Sequence, residues 1–333
     1  MLLMAAGGDS VDDIEVLRAD KGRQRLVGPL PSADVLLTFL HAFHDERLID
    51  QAQRDRPASQ VAYIPKESAP LRGLSRAFGS LIHRLAEHTK VTRATLDHDA
   101  TIQESHKKQA LAHYKGGRGY QPSAIYWAEL DVVLADEYRD GNVPAAMNNP
   151  PLIQRGFAAL PPSVAALYFR ADSACYETKI LKWLANPERE DGPRATIGFT
   201  ISNRRELAAP PLIRWHWEKA GSIEHVHDVT KNDLAAAVPP CGRFSANAAW
   251  YRLSLLTYNV LSAMKWLALP PSMETARPKR MRFALFSIAG RIVSHAGKLV
   301  LRIGRQVEAL ASLIAARIRI AQVGAARIAA AAA

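Results

Sequence analysis

The sequence predicts an α/β fold in which a strand-rich central region lies between a helical N-terminal region and a helical tail. Helix-like apolar spacing over residues 1–90, short β-branched and aromatic stretches within 91–270, and renewed helical spacing in 271–333 support this division. The chain has 333 residues, of which 48% are hydrophobic, so it can bury a substantial core. We therefore expect one large folded domain or two smaller ones.

The N-terminal region, residues 1–90, carries the signals of several helices. Ser10 is a suitable N-cap for the acidic turn that follows it. The stretches PSADVLLTFLHAF and LRGLSRAFGSLIHRL repeat apolar residues at intervals typical of amphipathic helices. The change to strand-like sequence comes at Thr92.

The central region, residues 91–270, mixes strand-like and helix-like stretches. RATLDHDATI and AALYFRADSA alternate along the chain, and AIYWAELDVVLADEY and RATIGFTIS are rich in β-branched and aromatic residues. ACYETKILKWLAN follows as a helix, and two long helical stretches lie between Pro211 and the tail. We therefore expect a sheet and helices to be built from the same region.

The net charge of +11 is concentrated in the tail. Arg277–Ala333 contains eleven Lys and Arg residues and one acid, Glu308. Apolar and basic residues recur at helical intervals from 280 to 323, which predicts a helix broken or bent near Gly290, Gly297 or Gly304. A basic segment on a nearly neutral body indicates a polyanionic partner, either nucleic acid or an anionic membrane surface.

The composition excludes other classes of protein. The two cysteines, Cys175 and Cys241, cannot build a disulfide framework, and they fit a reducing cytosol. No uncharged apolar run on the order of 18 residues occurs, so we expect no membrane span. We therefore expect a cytoplasmic protein.

Acidic residues in the central region are the candidate chemistry. Strand alternation places Asp97 and Asp99 on one face of RATLDHDATI, and Asp172 ends an apolar strand-like stretch. Carboxylates at strand ends are costly to bury unless they are paired or bind a metal. Glu224 lies on a helical stretch and shares a face with Lys231 seven residues later. Three carboxylates on strand, strand and helix indicate a site for two hard metal ions.

Five stretches of the chain form a distinctive series. In order, they are TLDHDAT, RDGNVPA, YFRADSACY, LIRWHWEKAGSIEHVHDVTKNDL and GRFSANAAWYRLSLLTYNVLSAMKWLALP. This series resembles the transposases of bacterial insertion sequences with a DDE catalytic domain. The resemblance covers roughly residues 5–305, and the last two stretches are the most specific. In this family the catalytic domain is RNase H-like, a mixed sheet flanked by helices with the acids gathered at one edge. The resemblance implies such a domain over residues 91–270.

The resemblance also implies roles for individual acids. The first acid of the family lies in a D-x-T pattern, which matches Asp99, with Asp97 as the alternative because it shares the face. The second matches Asp172, and the third is a helical Glu followed seven residues later by Lys, which matches Glu224. These three residues are the implied catalytic acids and the implied ligands of a divalent metal, Mg²⁺ or Mn²⁺.

The resemblance further implies four contacts to DNA, at Lys231, Lys219, Arg139 and Trp217. Related transposases often carry an aromatic residue and an Arg at seven and four positions before the Glu. Here these positions hold Trp217 and Ala220, so the Arg is absent and only the neighbouring Lys219 is basic.

A second departure from the family pattern is the short distance between the second and third acids. Only 51 residues separate Asp172 from Glu224, where such transposases usually carry a long β-rich insertion. We expect a shortened insertion near 185–212 and a truncated N-terminal region, so that the chain resembles a shortened copy.

We therefore expect a DNA transposase that hydrolyses phosphodiester bonds and transfers strands at insertion-sequence ends. Its partners would be double-stranded DNA, at the inverted repeats and at the target, and a second copy of the chain when bound to DNA. It would act in the bacterial cytoplasm, at the nucleoid. One alternative is an inactive remnant that only binds DNA or oligomerises. Another is a membrane-surface or interaction protein driven by the basic tail.

Overall fold

A computed structural model describes residues 1–172, 175, 178–185, 207–287, 289–303 and 307–331. In these ranges the chain forms N-terminal helices, a mixed sheet with helices around it, and a C-terminal two-stranded ribbon followed by a helix. The strand predicted in RATIGFTIS and most of the predicted insertion near 185–212 lie outside the described residues. No helix within the described ranges is long and apolar enough to cross a membrane.

The N-terminal region is a set of helices that ends in one long helix. The helices are α1 (Leu2–Ala6), α2 (Ile14–Ala19), α3 (Lys21–Val27), α4 (Ala33–His41), α5 (Glu46–Asp55) and α6 (Ala69–Thr89). Helix α6 begins where the hydroxyl of Ser68 accepts a hydrogen bond from the Leu71 amide at 3.4 Å. Its buried face carries Phe78, Ile82 and Leu85, which anchor it to the core.

Two sheets follow in the chain. Their strands are β1 (Arg93–Ala100), β2 (Gln103–Glu104), β3 (Leu111–Ala112), β4 (Arg118–Tyr120), β5 (Ser123–Trp127), β6 (Val132–Glu137) and β7 (Ala166–Ala171). The larger sheet has the order β6-β5-β1-β7, and the smaller one has the order β2-β4-β3. Strand β1 is antiparallel to β5 and parallel to β7, so the larger sheet is mixed. Strands β5 and β6 are almost fully buried, in keeping with their largely apolar sequences, whereas β7 is mostly half-buried.

Helices cover both faces of the larger sheet. They are α7 (Asn149–Ala158), α8 (Thr178–Ala185), α9 (Ala209–Trp217), α10 (Ile223–Asp233) and α11 (Phe244–Leu267). Helix α7 packs so closely that a Cβ on Gly156 would lie 2.6 Å from Ile125. The next residue of β5, Tyr126, points to the other face and shares Asp131 with Tyr258 of α11. The predicted mixed sheet flanked by helices is confirmed.

Helix α11 closes the outer edge of the sheet. The side-chain amide of Asn259 accepts from the Val133 nitrogen and donates to the Val133 oxygen, both at 2.8 Å, and so occupies backbone groups of the edge strand β6. Two turns earlier in α11, the buried guanidinium of Arg252 lies 2.7 Å from both Asp136 on β6 and Glu67 before α6. These contacts join the N-terminal helices, the sheet edge and α11 into one core.

The tail departs from the predicted helix. Its elements are α12 (Pro278–Met281), the π-helical turn Arg282–Phe286, β8 (Gly290–His295), β9 (Lys298–Ile303) and α13 (Val307–Ala331). The prediction of a helix across 280–323 is wrong for β8 and β9, which form an antiparallel ribbon. Ala296 and Gly297 link the strands with φ of 48° and 73°, the conformation of a type I′ hairpin turn. Gly290 opens β8, and Gly304 lies outside the described residues.

Candidate active site

The first two candidate acids lie at the same ends of neighbouring parallel strands. In the pairing of β1 with β7, Asp97 lies opposite Arg170 and His98 lies opposite Ala171. The next pair in this register is Asp99 and Asp172. Because adjacent strands lie about 4.8 Å apart, the sheet brings these two residues side by side.

Asp99 is the least exposed of the three candidate acids. Its side chain is 16% exposed, and its Oδ2 lies 3.7 Å from the Nζ of Lys219. Burial raises the pKa of Asp99 to about 6; the Lys219 ammonium opposes this rise, while the charges of Asp172 and Glu224 add to it. The carboxylates of Asp172 and Glu224 are therefore close enough to repel that of Asp99.

Glu224 is exposed in the first turn of α10. The helix is held in place by buried residues on its other face, among them Ile223 and Val226. Seven residues after Glu224, the Nζ of Lys231 donates to Oγ1 of Thr101 at 2.6 Å. This bond ties the helix of the third acid to the strand that carries the first.

Basic and aromatic side chains border the acids. Burial lowers the pKa of Lys231, and the charge of Lys115 lowers it further. Trp217 is 69% exposed at the end of α9, whereas Lys219 is 6% exposed beside Asp99. Sequence reasoning missed Lys115, because a glycine-rich turn gives no local sign of what it faces across the fold.

Asp97 is paired differently from Asp99, although both lie on the same face of β1. It is fully buried, and Arg170 of β7 binds both of its oxygens, at 2.6 and 2.9 Å. The hydroxyl of Ser222, just before α10, also donates to Asp97. The charge and the hydrogen-bonding capacity of Asp97 are thus largely used within the protein.

Arg139, predicted to contact DNA, is placed where it cannot do so. Its side chain has no exposed surface, and its guanidinium lies 2.7 Å from Glu137 and 3.2 Å from the Asn149 oxygen. A buried arginine with these partners supports the junction of β6 and α7 instead. The pattern RDGNVPA gives no sign of this, because the partners depend on the fold.

The opposite face of β1 carries a buried chain of polar side chains. His98 lies 2.9 Å from the sulfur of Cys175 and 2.8 Å from the hydroxyl of Ser123. Burial lowers the pKa of His98 to about 3 and raises the pKa of Cys175 to about 12, so both are neutral at physiological pH. The contact holds the segment after Asp172 against the strand that carries Asp99. Sequence reasoning singled out neither this pairing nor Arg170.

The donor set near Asp99 suits a hard divalent cation in its chemistry. Three carboxylates supply oxygen ligands, and a cation would relieve both the burial of the Asp99 charge, which is the main cause of its raised pKa, and the smaller repulsion from Asp172 and Glu224. Among the described residues, however, no three His, Cys, Asp or Glu side chains are close enough together to hold a metal ion. The acids would have to approach one another for a metal to bind, and Lys219 supplies the nearby positive charge in this conformation.

Comparison with known proteins gives one family match that spans most of the chain. The family model described as transposase DDE domain group 1 matches residues 1–191 and 187–325. Among solved structures, the piggyBac transposase synaptic complex with hairpin DNA aligns with a TM-score of 0.35 and 8% identity, covering 74% of this chain and 78% of that one. No curated protein matches significantly.

Proposed function

Since the chain belongs to the family of transposase DDE domains of group 1, we propose that it is a DNA transposase that cuts and joins phosphodiester bonds. Members of this family generally use divalent metal ions. The observation that carries the proposal is the placement of Asp99 and Asp172 at the same ends of the paired strands β1 and β7, with Glu224 at the start of α10, which packs on β1. Asp99, Asp172 and Glu224 are the proposed catalytic acids.

These three carboxylates would hold the metal, Mg²⁺ or Mn²⁺. When bound, the metal would activate the attacking water or 3′-hydroxyl and stabilise the leaving oxygen. Asp99 lies on β1 and Asp172 directly follows β7, which pairs with β1, so strand pairing sets their relative positions; Glu224 comes from a helix that Lys231 ties to Thr101. We assign the first acid to Asp99 and not to Asp97, because Arg170 already neutralises Asp97.

The side chains around the acids would position the DNA. Lys231 and Lys115 form a small basic patch beside Asp99, suited to a phosphate. Trp217 offers an exposed ring on which a base could stack, and Lys219 would balance charge at the acids. We propose double-stranded DNA as the partner, at inverted repeats and target, with the chain acting as a homodimer at the nucleoid of the bacterial cytoplasm.

The proposed acids are tested by Asp172→Asn, assayed for nicking of a supercoiled plasmid in Mg²⁺ and for DNA affinity in EDTA. The change keeps the shape of the side chain but removes a charged hard ligand, so nicking should be lost while affinity stays within about twofold. Asp34→Asn is the matched control, because Asp34 is an exposed acid on α4, and it should change neither property. Nicking that survives in purified Asp172→Asn would remove Asp172 from the site.

A second candidate is a remnant that binds DNA without cutting it. Two observations favour it: the described residues contain no three-ligand group close enough for a metal, and an ammonium lies beside Asp99. The shortened insertion also leads us to expect little or no excision of a marked element by this chain. Calorimetry with Mn²⁺ separates the candidates, because DNA binding without saturable Mn²⁺ binding would favour the remnant.

A further inference from the structure

The ribbon of β8 and β9 has two chemically different faces. Cross-strand pairing places Ile292 opposite Leu301 on one face, which also carries Leu299 and Ile303. The other face, called the basic face below, pairs Arg291 with Arg302 and His295 with Lys298 on either side of a central valine pair, Val293 and Val300. The tight two-residue turn at Ala296–Gly297 keeps this register, so the separation of the faces is built into the hairpin.

The apolar face is the one that rests on the rest of the chain. A Cβ built on Gly22 of α3 would lie 3.5 Å from the Cδ1 of Ile292, so this face contacts the N-terminal helices. Ile292 and Ile303 are half-buried. Leu299 and Leu301, further along the same face, are each 53% exposed. Ile292 thus places this face against α3, while on the basic face Arg291, Lys298 and Arg302 are exposed and Val293 is half-buried.

The basic face has an electrostatic arrangement that lacks a counter-charge. Arg291 and Arg302 stand directly opposite each other, and like charges in that position repel. Among the residues that the structure describes, Arg291, Arg302 and Lys298 form no ion pair and no side-chain hydrogen bond. All three are exposed. A polyanion would relieve the repulsion and supply the missing partners.

We propose that the basic face of the ribbon binds the phosphate backbone of double-stranded DNA, at a place separate from the catalytic acids. That the partner is DNA rests on the proposed function. The proposal adds that the β8–β9 ribbon supplies part of the affinity for DNA. A two-stranded antiparallel ribbon has the width that the major groove admits, so its basic face can approach the phosphates that line that groove. The charge distribution agrees, because the tail carries ten of the eleven net positive charges.

The test measures the affinity of the full chain for a short duplex of arbitrary sequence against salt concentration, in EDTA so that no cleavage occurs. The ribbon variant replaces Arg291, Lys298 and Arg302 by Ala. The matched control replaces Arg54, Arg76 and Arg84, three exposed arginines on α5 and α6, by Ala, which lowers the net charge equally.

The ribbon variant should bind about tenfold or more weakly, and its salt slope should be shallower by about 2.7, since each lost phosphate contact removes about 0.9. The control should keep the wild-type slope. Arg291→Lys with Arg302→Lys retains the charge and should also keep it, which shows that the loss does not come from misfolding.

Three outcomes would overturn the proposal. The first is an equal salt slope for the ribbon variant and the wild type, and the second is an equal loss of DNA affinity in the ribbon variant and the control. The third is unchanged DNA binding with a changed sedimentation coefficient, which would assign the ribbon to contact with a second copy of the chain. A wild-type chain that binds no DNA at all would instead remove the proposed function itself.

Discussion

Replacing Asp99 by Asn should stabilise the metal-free protein at neutral pH. The folded protein holds the pKa of Asp99 at about 6 against an ordinary value of 3.8, so ionised Asp99 works against folding. At about 1.36 kcal/mol for each pKa unit, the cost at pH 7 is about 3 kcal/mol. The pKa of about 6 already includes the attraction to Lys219, so we expect a net increase of up to about 3 kcal/mol in the free energy of unfolding.

The sign of this effect sets its pH dependence. Below about pH 3 the carboxyl of Asp99 is protonated in both the folded and the unfolded protein, so its cost is absent. The cost grows as the pH rises from about 4 to about 6, because the unfolded chain ionises first, and it stays constant above that range. The advantage of Asp99→Asn should therefore be present at pH 7 and vanish near pH 3.5.

Asp97→Asn is the matched control on the same face of the same strand, and it should have the opposite sign. Asp97 is fully buried and binds Arg170 through both oxygens. Its replacement leaves the buried guanidinium without a counter-charge, which typically costs about 3–5 kcal/mol. Two chemically identical substitutions two residues apart are thus expected to change stability in opposite directions.

Urea unfolding at pH 7 and pH 3.5, in EDTA and in Mg²⁺, measures the free energy of unfolding of the wild type, Asp99→Asn and Asp97→Asn. A cation at one hundred times its dissociation constant should stabilise the wild type by about 2.7 kcal/mol and Asp99→Asn by much less. The reasoning fails if Asp99→Asn is less stable than the wild type at pH 7. It fails equally if Mg²⁺ stabilises both proteins to the same extent.

Three further changes test the fold around the site. Arg252→Met should lower the free energy of unfolding by about 3–5 kcal/mol in urea titrations, because it strands two carboxylates at the sheet edge. Cys175 should resist a thiol reagent until the protein unfolds, because it is buried and burial raises its pKa to about 12. The partly exposed Cys241 should react in the folded protein, and equal reaction rates for the two cysteines would contradict the packing. Gly297→Val should destabilise the ribbon by about 1–2 kcal/mol at its positive φ, seen as faster amide exchange in β8 and β9, and unchanged exchange would argue against the I′ turn.

Local sequence pattern was sufficient for the features that depend on neighbouring residues. The alternation of RATLDHDATI places Asp97 and Asp99 on one face of β1, where they contact Arg170 and Lys219. The helical spacing of SANAAWYRLSLLTYNVLSAMKWL corresponds to α11. The order of acidic motifs along the chain was enough to indicate the transposase family that the family model then matched.

The tail shows where local pattern failed. Leucines, isoleucines and arginines recur there at intervals that fit a helix, yet two consecutive residues with positive φ turn the chain into a ribbon. Glycine signals such a turn weakly, and Ala296 does not signal it at all, because alanine favours helices. The deciding contacts, such as Ile292 against Gly22, come from the far end of the chain.

The sequence by itself determined the kinds of residue available at the site: three acids, the lysines beside them and the strands that carry two of the acids. Only the tertiary structure decided which acid is held by a buried arginine. Arg170 reaches Asp97 because β7 pairs with β1 in one register, and Arg139 is buried because α7 packs against β6. Ionisation and access to DNA depend on burial and on charges a few ångströms away. Those neighbours are set by strand pairing and helix packing between distant parts of the chain, which spacing along a single sequence does not encode.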